Sequence, residues 1–251
     1  MSKSKRRDIP VFATPLIETH CHLDYLEAAE LQHTLVRARQ VGVERIVTIA
    51  VSAANLDNVL ALTRAAPDIW GTQGIHPHEA EGFDSAVEAR IRAQAGDPRI
   101  VAIGEIGLDY YYDHLPIVVH TREADEDTRA ILAEYAPHLQ RKGVIHSFTS
   151  GLPLAEFCLD AGFMLGFNGI TTFNSADNVR AVVTATPLDQ LVLETDAPYL
   201  TPVPYRGRPN APFYLPFIAE RIAEVLEIPV ETLLQAAYRN SLALFFPATG
   251  E

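Results

Sequence analysis

The chain has 251 residues, of which 48% are hydrophobic and 21% are charged, as in an ordinary folded domain. This length fits one large domain, so we expect residues 1–251 to form a single unit with residues 1–13 as a flexible N-terminal extension. The net charge of −12 excludes a broad basic surface that wraps duplex DNA. It leaves open a nucleic-acid substrate that enters a metal-lined pocket, because bound divalent cations reverse the local field.

Cysteine content and hydropathy indicate a cytoplasmic protein. Cys21 and Cys158 are the only cysteines, too few for a disulfide framework, as expected in a reducing compartment. The basic residues 1–7 precede no apolar run of signal-peptide length, and no stretch approaches the roughly 18 apolar residues of a membrane span. We therefore expect no membrane association, and the sequence indicates no obligate protein partner.

Short β-branched runs alternate with helix-length amphipathic segments along the whole chain. In chain order, the predicted strands cover residues 16–19, 45–51, 69–74, 100–104, 117–119, 143–146, 163–167 and 191–194. The predicted helices cover residues 27–40, 56–66, 85–95, 128–135, 154–161, 176–186, 213–226 and 230–245. Strands that alternate with helices form parallel βαβ units, and eight of them close a barrel. The sequence therefore predicts an α/β fold, a (β/α)8 TIM barrel without a second domain.

One predicted connection is too short for a helix. The fourth and fifth strands start at Ile100 and Ile117, whereas a strand–helix repeat places strand starts roughly 20 to 30 residues apart. A parallel crossover needs about a dozen or more residues, usually in a helix. Either this connection is unusual, or a segment after Asp113 is absent from the sequence. We favour the second interpretation and expect the segment to be a groove wall that becomes ordered when substrate binds.

Five histidines lie at the ends of four of the apolar runs. They are His20, His22, His76, His120 and His146. His20 and His22 point to the same face, because side chains alternate along a strand. Any one of the others is more often a satisfied core histidine than a ligand, yet all five lie at predicted carboxyl ends of strands, the catalytic face of such barrels. The histidines expected to be solvated are His33, His114 and His138.

Two carboxylates complete the candidate site. Glu105 lies in a tight turn between Gly104 and Gly107, where a buried carboxylate needs a cation and can bridge two of them. Asp196 follows an apolar strand; the alternative role of a helix N-cap is weakened because prolines follow too closely for a helix to begin. Asp, Glu and His side chains suit Zn²⁺, Mn²⁺ or Mg²⁺, and the mixture does not choose among them.

Candidate substrate contacts lie on the same face. We expect His76 to contact substrate or to support the metal ligands from outside, and Arg122 to hold a phosphate with two hydrogen bonds. Arg206 and Asn210 follow the eighth strand, where barrels often bind phosphate, with a solvated loop as the equal alternative. The tyrosine run at residues 110–112 either stacks on bases or serves only in packing.

In this order, the motifs resemble the TatD family of metal-dependent hydrolases, within the larger amidohydrolase-like barrels. The resemblance runs from Glu18 to about Phe245 and rests on THCHLD at residues 19–24, GIHP at 74–77, GEIGLDY at 104–110, VHTR at 119–122, HSF at 146–148 and ETDAPYL at 194–200. It implies that one metal cation is bound by His20, His22, Glu105 and Asp196. It implies that a second cation is bound by Glu105, His120 and His146.

The resemblance also implies a function. The family is associated with DNase activity, often exonucleolytic, and some relatives resemble deacylases of D-aminoacyl-tRNA. The chain departs from the family pattern at Glu123, where Asp is usual, and it lacks the helix that normally follows the tyrosine run.

The sequence therefore predicts a hydrolase with two divalent metal cations, most consistent with a deoxyribonuclease that cleaves phosphodiester bonds through an activated water. Glu105 bridges the cations, and Asp196 accepts a proton from the water while it binds metal. Arg122 and His76 orient the phosphate of the DNA. The alternative is a carboxyl-ester or amide hydrolase, such as a D-aminoacyl-tRNA deacylase, in which the cations polarise a carbonyl. An inactive scaffold is disfavoured because all six ligand positions are present.

Overall fold

A computed structural model of the chain describes residues 6–106 and 114–247. Eight strands pair in parallel, each with its neighbours in chain order. They are β1 Leu16–Cys21, β2 Val43–Thr48, β3 Ile69–Gln73, β4 Ile100–Ile106, β5 Ile117–Val119, β6 Gly143–Ile145, β7 Met164–Phe167 and β8 Leu191–Leu193. The sheet closes on itself where a parallel bridge joins Cys21 to Ala197, just beyond β8.

Helices cover the outside of this barrel. They are α1 Ala28–Gln40, α2 Leu56–Ala65, α3 Ser85–Gln94, α4 Asp125–Tyr135, α5 Leu152–Asp160, α6 Asp177–Ala185, α7 Leu215–Val225 and α8 Val230–Phe245. The strands are buried on both faces, which explains their nearly continuous apolar sequences. The predicted (β/α)8 barrel is therefore confirmed, and every predicted strand and helix overlaps an observed one.

The short fourth connection does not interrupt the sheet. β4 and β5 pair directly, with Ile103 opposite Ile117 and Gly104 opposite Val118. No helix lies between these strands in the part of the connection that the structure describes. Residues 107–113 lie outside the described residues, and with them the tyrosine run and the proposed position of an absent segment after Asp113.

Two apolar cores fill the fold. The larger one lies between the strands and the surrounding helices and contains residues from nearly every element. The smaller one fills the interior of the barrel with side chains from alternate positions of the strands, among them Val47, Val118, Val144 and Val192. The end of α8 joins this inner core through Phe245. The barrel interior is thus packed beneath the site rather than open.

Residues 6–13 contact the outside of the barrel. Arg7 forms an ion pair with Glu220 of α7, and its carbonyl accepts a hydrogen bond from Tyr205 at 2.9 Å. The backbone N–H of Ala13 donates to Glu231 of α8 at 2.8 Å. The remaining residues of the expected flexible extension, 1–5, lie outside the described residues.

The cysteines and helices agree with the expectations from composition. Cys21 and Cys158 are both free and buried. Cys21 belongs to the outer core, so its side chain faces away from those of His20 and His22, as alternation along β1 predicts. Among the described helices, none is long and apolar enough to cross a membrane.

Candidate metal centre

Imidazole and carboxylate groups converge at the carboxyl end of the barrel. All six predicted ligands lie there, in or just after β1, β4, β5, β6 and β8: His20, His22, Glu105, His120, His146 and Asp196. Parallel strands bring their carboxyl ends to one face of a barrel, so ligands far apart in sequence meet. The fold thus brings the six predicted ligands together at one end of the barrel.

Glu105 lies at the centre of this cluster. Its Oε1 atom is 2.7 Å from His120 Nδ1 and 2.7 Å from His146 Nε2, and these two nitrogens are 3.0 Å apart. Its other oxygen, Oε2, is 3.3 Å from His20 Nε2. His76 Nε2 lies 3.4 Å from Oε1. The two oxygens of one carboxylate therefore face two different groups of imidazoles.

Asp196 faces the imidazoles of β1. Its Oδ1 atom is 3.5 Å from His22 Nε2 and 3.8 Å from His20 Nε2. The residue has a positive φ of 58°, an unusual backbone conformation for a residue with a side chain. Such strained positions cluster at functional sites, where the surrounding structure holds them.

Opposite charges compensate each other within the cluster. Burial alone would raise the pKa of Glu105, but the charge of His146 and the close imidazoles of His120, His146 and His20 hold it well below its ordinary value. Burial would lower the pKa of His146, yet Glu105 raises it well above its ordinary value. For Asp196, burial opposes ionisation, but the hydrogen bond with His22 leads the effects that lower its pKa. The ionised carboxylates of Glu105 and Asp196 therefore favour a positively charged group in the space between them.

The donor set fits a divalent cation. Both ring nitrogens of His20 and Nδ1 of His22 are buried without a hydrogen-bond partner, although buried polar atoms normally have one. Three groups of side chains can each bring ligand atoms within 4.8 Å of one another: His20, His22 and Glu105; His76, Glu105 and His120; and His20, His146 and Glu194. Imidazole nitrogen and carboxylate oxygen are the ligands that Zn²⁺ and Mn²⁺ accept, and carboxylate oxygen suits Mg²⁺.

Two further carboxylates support the cluster from within the barrel, and sequence reasoning missed both roles. Glu18 Oε1 accepts hydrogen bonds from the backbone N–H groups of His20 at 3.0 Å and Thr195 at 2.9 Å, which joins β1 to the end of β8. Glu194 Oε1 accepts from the backbone N–H of Ser147 at 2.7 Å. Each lies two residues before a predicted ligand and so on the same face of its strand, a spacing that could have revealed them.

Two glycines leave space for the site at this crowded end of the barrel. A Cβ atom on Gly104 would lie 2.6 Å from Cβ of Val118 on the neighbouring strand. A Cβ atom on Gly166 of β7 would lie 2.5 Å from Glu194 Oε2. Only glycine fits these positions without a shift of the strands or of the buried carboxylate.

A cavity of about 380 Å³ opens above the cluster. Besides five of the six predicted ligands, its walls include Tyr25, His76, Arg122 and Tyr199. Arg122 is exposed and makes no hydrogen bond or ion pair with any residue that the structure describes. Its guanidinium thus borders the cavity above the cluster, and its role as a phosphate contact stays a prediction.

The other two predicted substrate contacts lie outside the walls of this cavity. The exposed guanidinium of Arg206 stacks 3.7 Å from the ring centroid of Phe173. Asn210 is buried, and its side-chain amide donates to the backbone carbonyls of Thr195 at 2.9 Å and Tyr199 at 2.6 Å. Asn210 thus holds the loop after β8 in place, and its donors are already in use.

The geometry agrees with the similarity of the chain to known proteins. The model of the family described as TatD related DNase matches residues 17–114 and 112–246. The two matched stretches meet at the short connection between β4 and β5. This break is where the strand spacing suggested an absent segment.

Individual relatives cover nearly the whole chain. The chain is 32% identical to the uncharacterized metal-dependent hydrolase YabD of Bacillus subtilis, over 92% of this chain and 98% of YabD. It is 33% identical to the 3'-5' ssDNA/RNA exonuclease TatD of Erwinia tasmaniensis, over 83% of this chain and 93% of that protein. The crystal structure of YJJV, a TatD homolog from Escherichia coli, has a TM-score of 0.85 at 29% identity and covers 93% of this chain and 98% of its own. The chain therefore belongs to the TatD family of metal-dependent hydrolases.

Proposed function

We propose that this hydrolase is a deoxyribonuclease that cleaves phosphodiester bonds at a single-stranded end of DNA, in the cytoplasm. The observation that carries the proposal is the position of Glu105, whose two oxygens face separate imidazole groups. This arrangement supports a carboxylate shared by two cations, the site used by many nucleases and phosphatases. The name of the relative from Erwinia supports the choice of a nucleic-acid substrate.

Two divalent cations, Zn²⁺, Mn²⁺ or Mg²⁺, fit the residues present. One would be held by His20, His22, Glu105 and Asp196, and the other by Glu105, His120 and His146. When bound, such a pair lowers the pKa of water and stabilises the negative charge that develops on a phosphoryl group.

The remaining chemistry belongs to side chains of the cavity. Asp196 borders the cavity and is ionised at neutral pH, so it can accept the proton that the attacking water releases. The free guanidinium of Arg122 can bind two phosphate oxygens at once. His76 accepts a hydrogen bond from the backbone N–H of His78 through Nδ1, which leaves the proton on Nε2. This nitrogen lies 3.4 Å from Glu105 Oε1 at the wall of the cavity and can donate to a phosphate oxygen.

The size and charge of the cavity support an end-binding enzyme. Its volume of about 380 Å³ lies at the small end of the range for ligand pockets. Arg122 is the one Lys or Arg among the described residues that line it. An acidic protein with so few cations at its site binds the terminus of a strand more readily than the length of a duplex.

The substrate class is tested with a matched set of nucleic acids and esters. After chelation and addition of Mg²⁺, Mn²⁺ or Zn²⁺, we expect linear single-stranded DNA to be degraded and a closed circle of the same sequence to persist. A circle cut as fast as the linear strand would contradict the exonuclease and leave an endonuclease. Hydrolysis of a D-aminoacyl ester without cleavage of DNA would instead favour the deacylase.

The shared carboxylate is tested with one variant and one control. Glu105→Ala should lower activity by roughly 10³-fold or more, because both cations lose a ligand, and elemental analysis should show less metal at both positions. His138→Ala changes an exposed histidine away from the cavity and should alter neither quantity. Full activity of the Glu105 variant would refute the two-cation mechanism.

A further inference from the structure

Two exposed tyrosines stand at the rim of the metal centre. Tyr25 follows β1 and is 48% exposed, whereas Tyr199 lies in the loop after β8 and is 55% exposed. Both line the cavity above the metal centre. Single exposed apolar residues are ordinary on protein surfaces, but adjacent ones beside a site often mark a binding surface.

The two rings and His22 form an ordered group. The ring of Tyr25 is stacked on that of His22, with centroids 5.2 Å apart and an angle of 12° between the planes. The ring of Tyr199 is nearly perpendicular to that of Tyr25, at 78° and 6.4 Å, and lies 6.3 Å from His22. Because Tyr199 is equally far from both rings, it stands beside the stack and does not cap it. Among the residues that the structure describes, no ring stacks on the other face of Tyr25, and Tyr199 forms a side wall.

We infer that Tyr25 and Tyr199 form an aromatic corner that binds the unpaired nucleobase next to the scissile phosphate. A planar ring can stack on the open face of Tyr25 while its edge meets Tyr199, an arrangement that aromatic groups favour. This inference rests on the proposed function and adds the group that recognises the substrate. Tyr25 lies outside the quoted sequence motifs, and Tyr199 lies in the motif at residues 194–200 without an assigned role.

The surroundings match a nucleotide rather than an apolar ligand. Arg122 of the same cavity offers a cation for phosphate, whereas the corner offers apolar rings for a base. Because Tyr25 stacks on a proposed metal ligand, a base placed on it lies beside the metal centre.

The corner also accounts for selection of single strands. A base within a duplex has neighbours on both of its faces and a partner along its edge, so only an unpaired terminal base can enter. Every base has an aromatic face, so stacking of this kind tolerates any sequence. We therefore expect the enzyme to discriminate between a base and no base, and only weakly among the four bases.

The test measures binding separately from cleavage. Trinucleotides with phosphorothioate linkages, which resist hydrolysis, carry fluorescein at one end and either adenine or an abasic residue at the other, in both polarities. With Mn²⁺ present, fluorescence anisotropy of the wild-type protein should show roughly 5- to 100-fold tighter binding of the adenine-bearing end in the preferred polarity. Equal affinity for the two ends in both polarities would overturn the inference.

Variants locate the effect. Loss of either ring, in Tyr199→Ala or Tyr25→Ala, should make the affinities for the adenine-bearing and the abasic end equal. The variants Tyr25→Phe and Tyr199→Phe keep the rings and should keep the preference for the adenine-bearing end. Tyr238→Ala, on α8 and hydrogen-bonded to Glu44, is the matched control and should also preserve it. Tyr199 does not stack on a proposed ligand, so an unchanged preference in its Ala variant would overturn the corner even if Tyr25→Ala loses metal.

Cleavage of ordinary linkages is measured in parallel. Preference for the base-bearing end without cleavage by the wild-type protein would support the corner and contradict the proposed nuclease. Cleavage at equal rates of base-bearing and abasic ends would contradict the corner and leave the nuclease intact. The two proposals therefore fail in different experiments.

Discussion

Glu194 supports the metal centre from behind the imidazole of His146. Its Oε1 atom lies 3.6 Å from His146 Nδ1, while the other nitrogen of that ring faces Glu105 at 2.7 Å. A carboxylate behind a ligating histidine fixes the orientation and tautomer of the ring and increases its basicity. Glu194 is fully buried, and Gly166 leaves the space that its second oxygen occupies.

Glu194→Gln should weaken metal binding by about 10- to 100-fold, because the amide keeps the shape of the side chain but removes the charge behind His146. Gly166→Ala should also weaken metal binding, since its Cβ would lie 2.5 Å from Glu194 Oε2. Competition with a chelator measures both affinities. Gly82→Ala is the control, because a Cβ there meets nothing within 4 Å. Unchanged affinity in both Glu194→Gln and Gly166→Ala would contradict this role.

At the scale of residues, the sequence predicts the face of a strand on which a side chain lies, because this face depends only on the strand's period. His20 and His22 could be placed on one face because side chains alternate along a strand, and the structure brings them together. Asn210 could not be placed in this way. Its partners are backbone carbonyls of its own loop, and the path of that loop depends on local dihedral angles such as the positive φ of Asp196.

At the scale of elements, strands and helices were predictable because each keeps one hydrophobic period over its length. β1 extends beyond its predicted end to Cys21, because pairing with β2 and the bridge to Ala197 continue there. No hydrophobic period could have predicted the aromatic corner. Tyr25 lies in a short 3-10 turn and Tyr199 in a loop, and only closure of the barrel makes them neighbours.

The end of α8 closes the barrel opposite the metal centre. Phe245 belongs to the inner core, and the ring of Phe246 lies 5.0 Å from that of Trp70, near the start of β3. Arg141, which precedes β6, donates to the backbone carbonyl of Ala243 at 3.2 Å. These contacts seal the amino ends of the strands, whereas all the proposed metal ligands lie at the carboxyl ends.

Phe245→Ala should therefore lower the free energy of unfolding by roughly 3–5 kcal/mol, because it leaves a cavity in the inner core. Metal content of the folded protein should not change, since the site is at the other end. Urea denaturation measures the first quantity and elemental analysis the second. Val36→Ala, at a residue 47% exposed on α1, should stay within about 0.5 kcal/mol of wild type. An equally small effect of Phe245→Ala would show that α8 does not seal the barrel.

At the scale of the whole molecule, negative charge is concentrated at one end of an already acidic chain. Three buried or nearly buried carboxylates lie there: Glu105, Glu194 and Asp196. Burial raises the pKa of Glu18 to about 8, so that this neighbouring carboxyl group is largely protonated at neutral pH. Burial of a charged group costs several kcal/mol unless opposite charges compensate it. Histidines supply part of that compensation, and cations would supply the rest. Metal binding should thus stabilise the fold as well as provide the chemistry.

Saturation with metal should raise the melting temperature. A cation present at 100 times its dissociation constant stabilises the native state by about 2.7 kcal/mol, which corresponds to roughly 5–10 °C for a domain of this size. Thermal unfolding with and without a chelator measures the shift, with Mn²⁺, Zn²⁺ and Mg²⁺ tested in turn. Glu105→Ala should show a smaller shift. Equal melting temperatures of the wild-type protein under all these conditions would contradict the metal centre.

The first strand and the segment after the last strand meet at the proposed active site. The backbone N–H of Asp196 donates to the carbonyl of His20 at 2.9 Å, and that of His22 donates to Ala197 at 2.8 Å. During translation, His20 and His22 leave the ribosome among the first residues, and Asp196 follows only after seven further strands have been made. A nascent chain therefore contains the two imidazoles before it contains the carboxylate of their proposed cation site. It also lacks the last strand, which closes the barrel. We therefore expect chains that end before Asp196 to be inactive, because they lack both this carboxylate and a closed barrel.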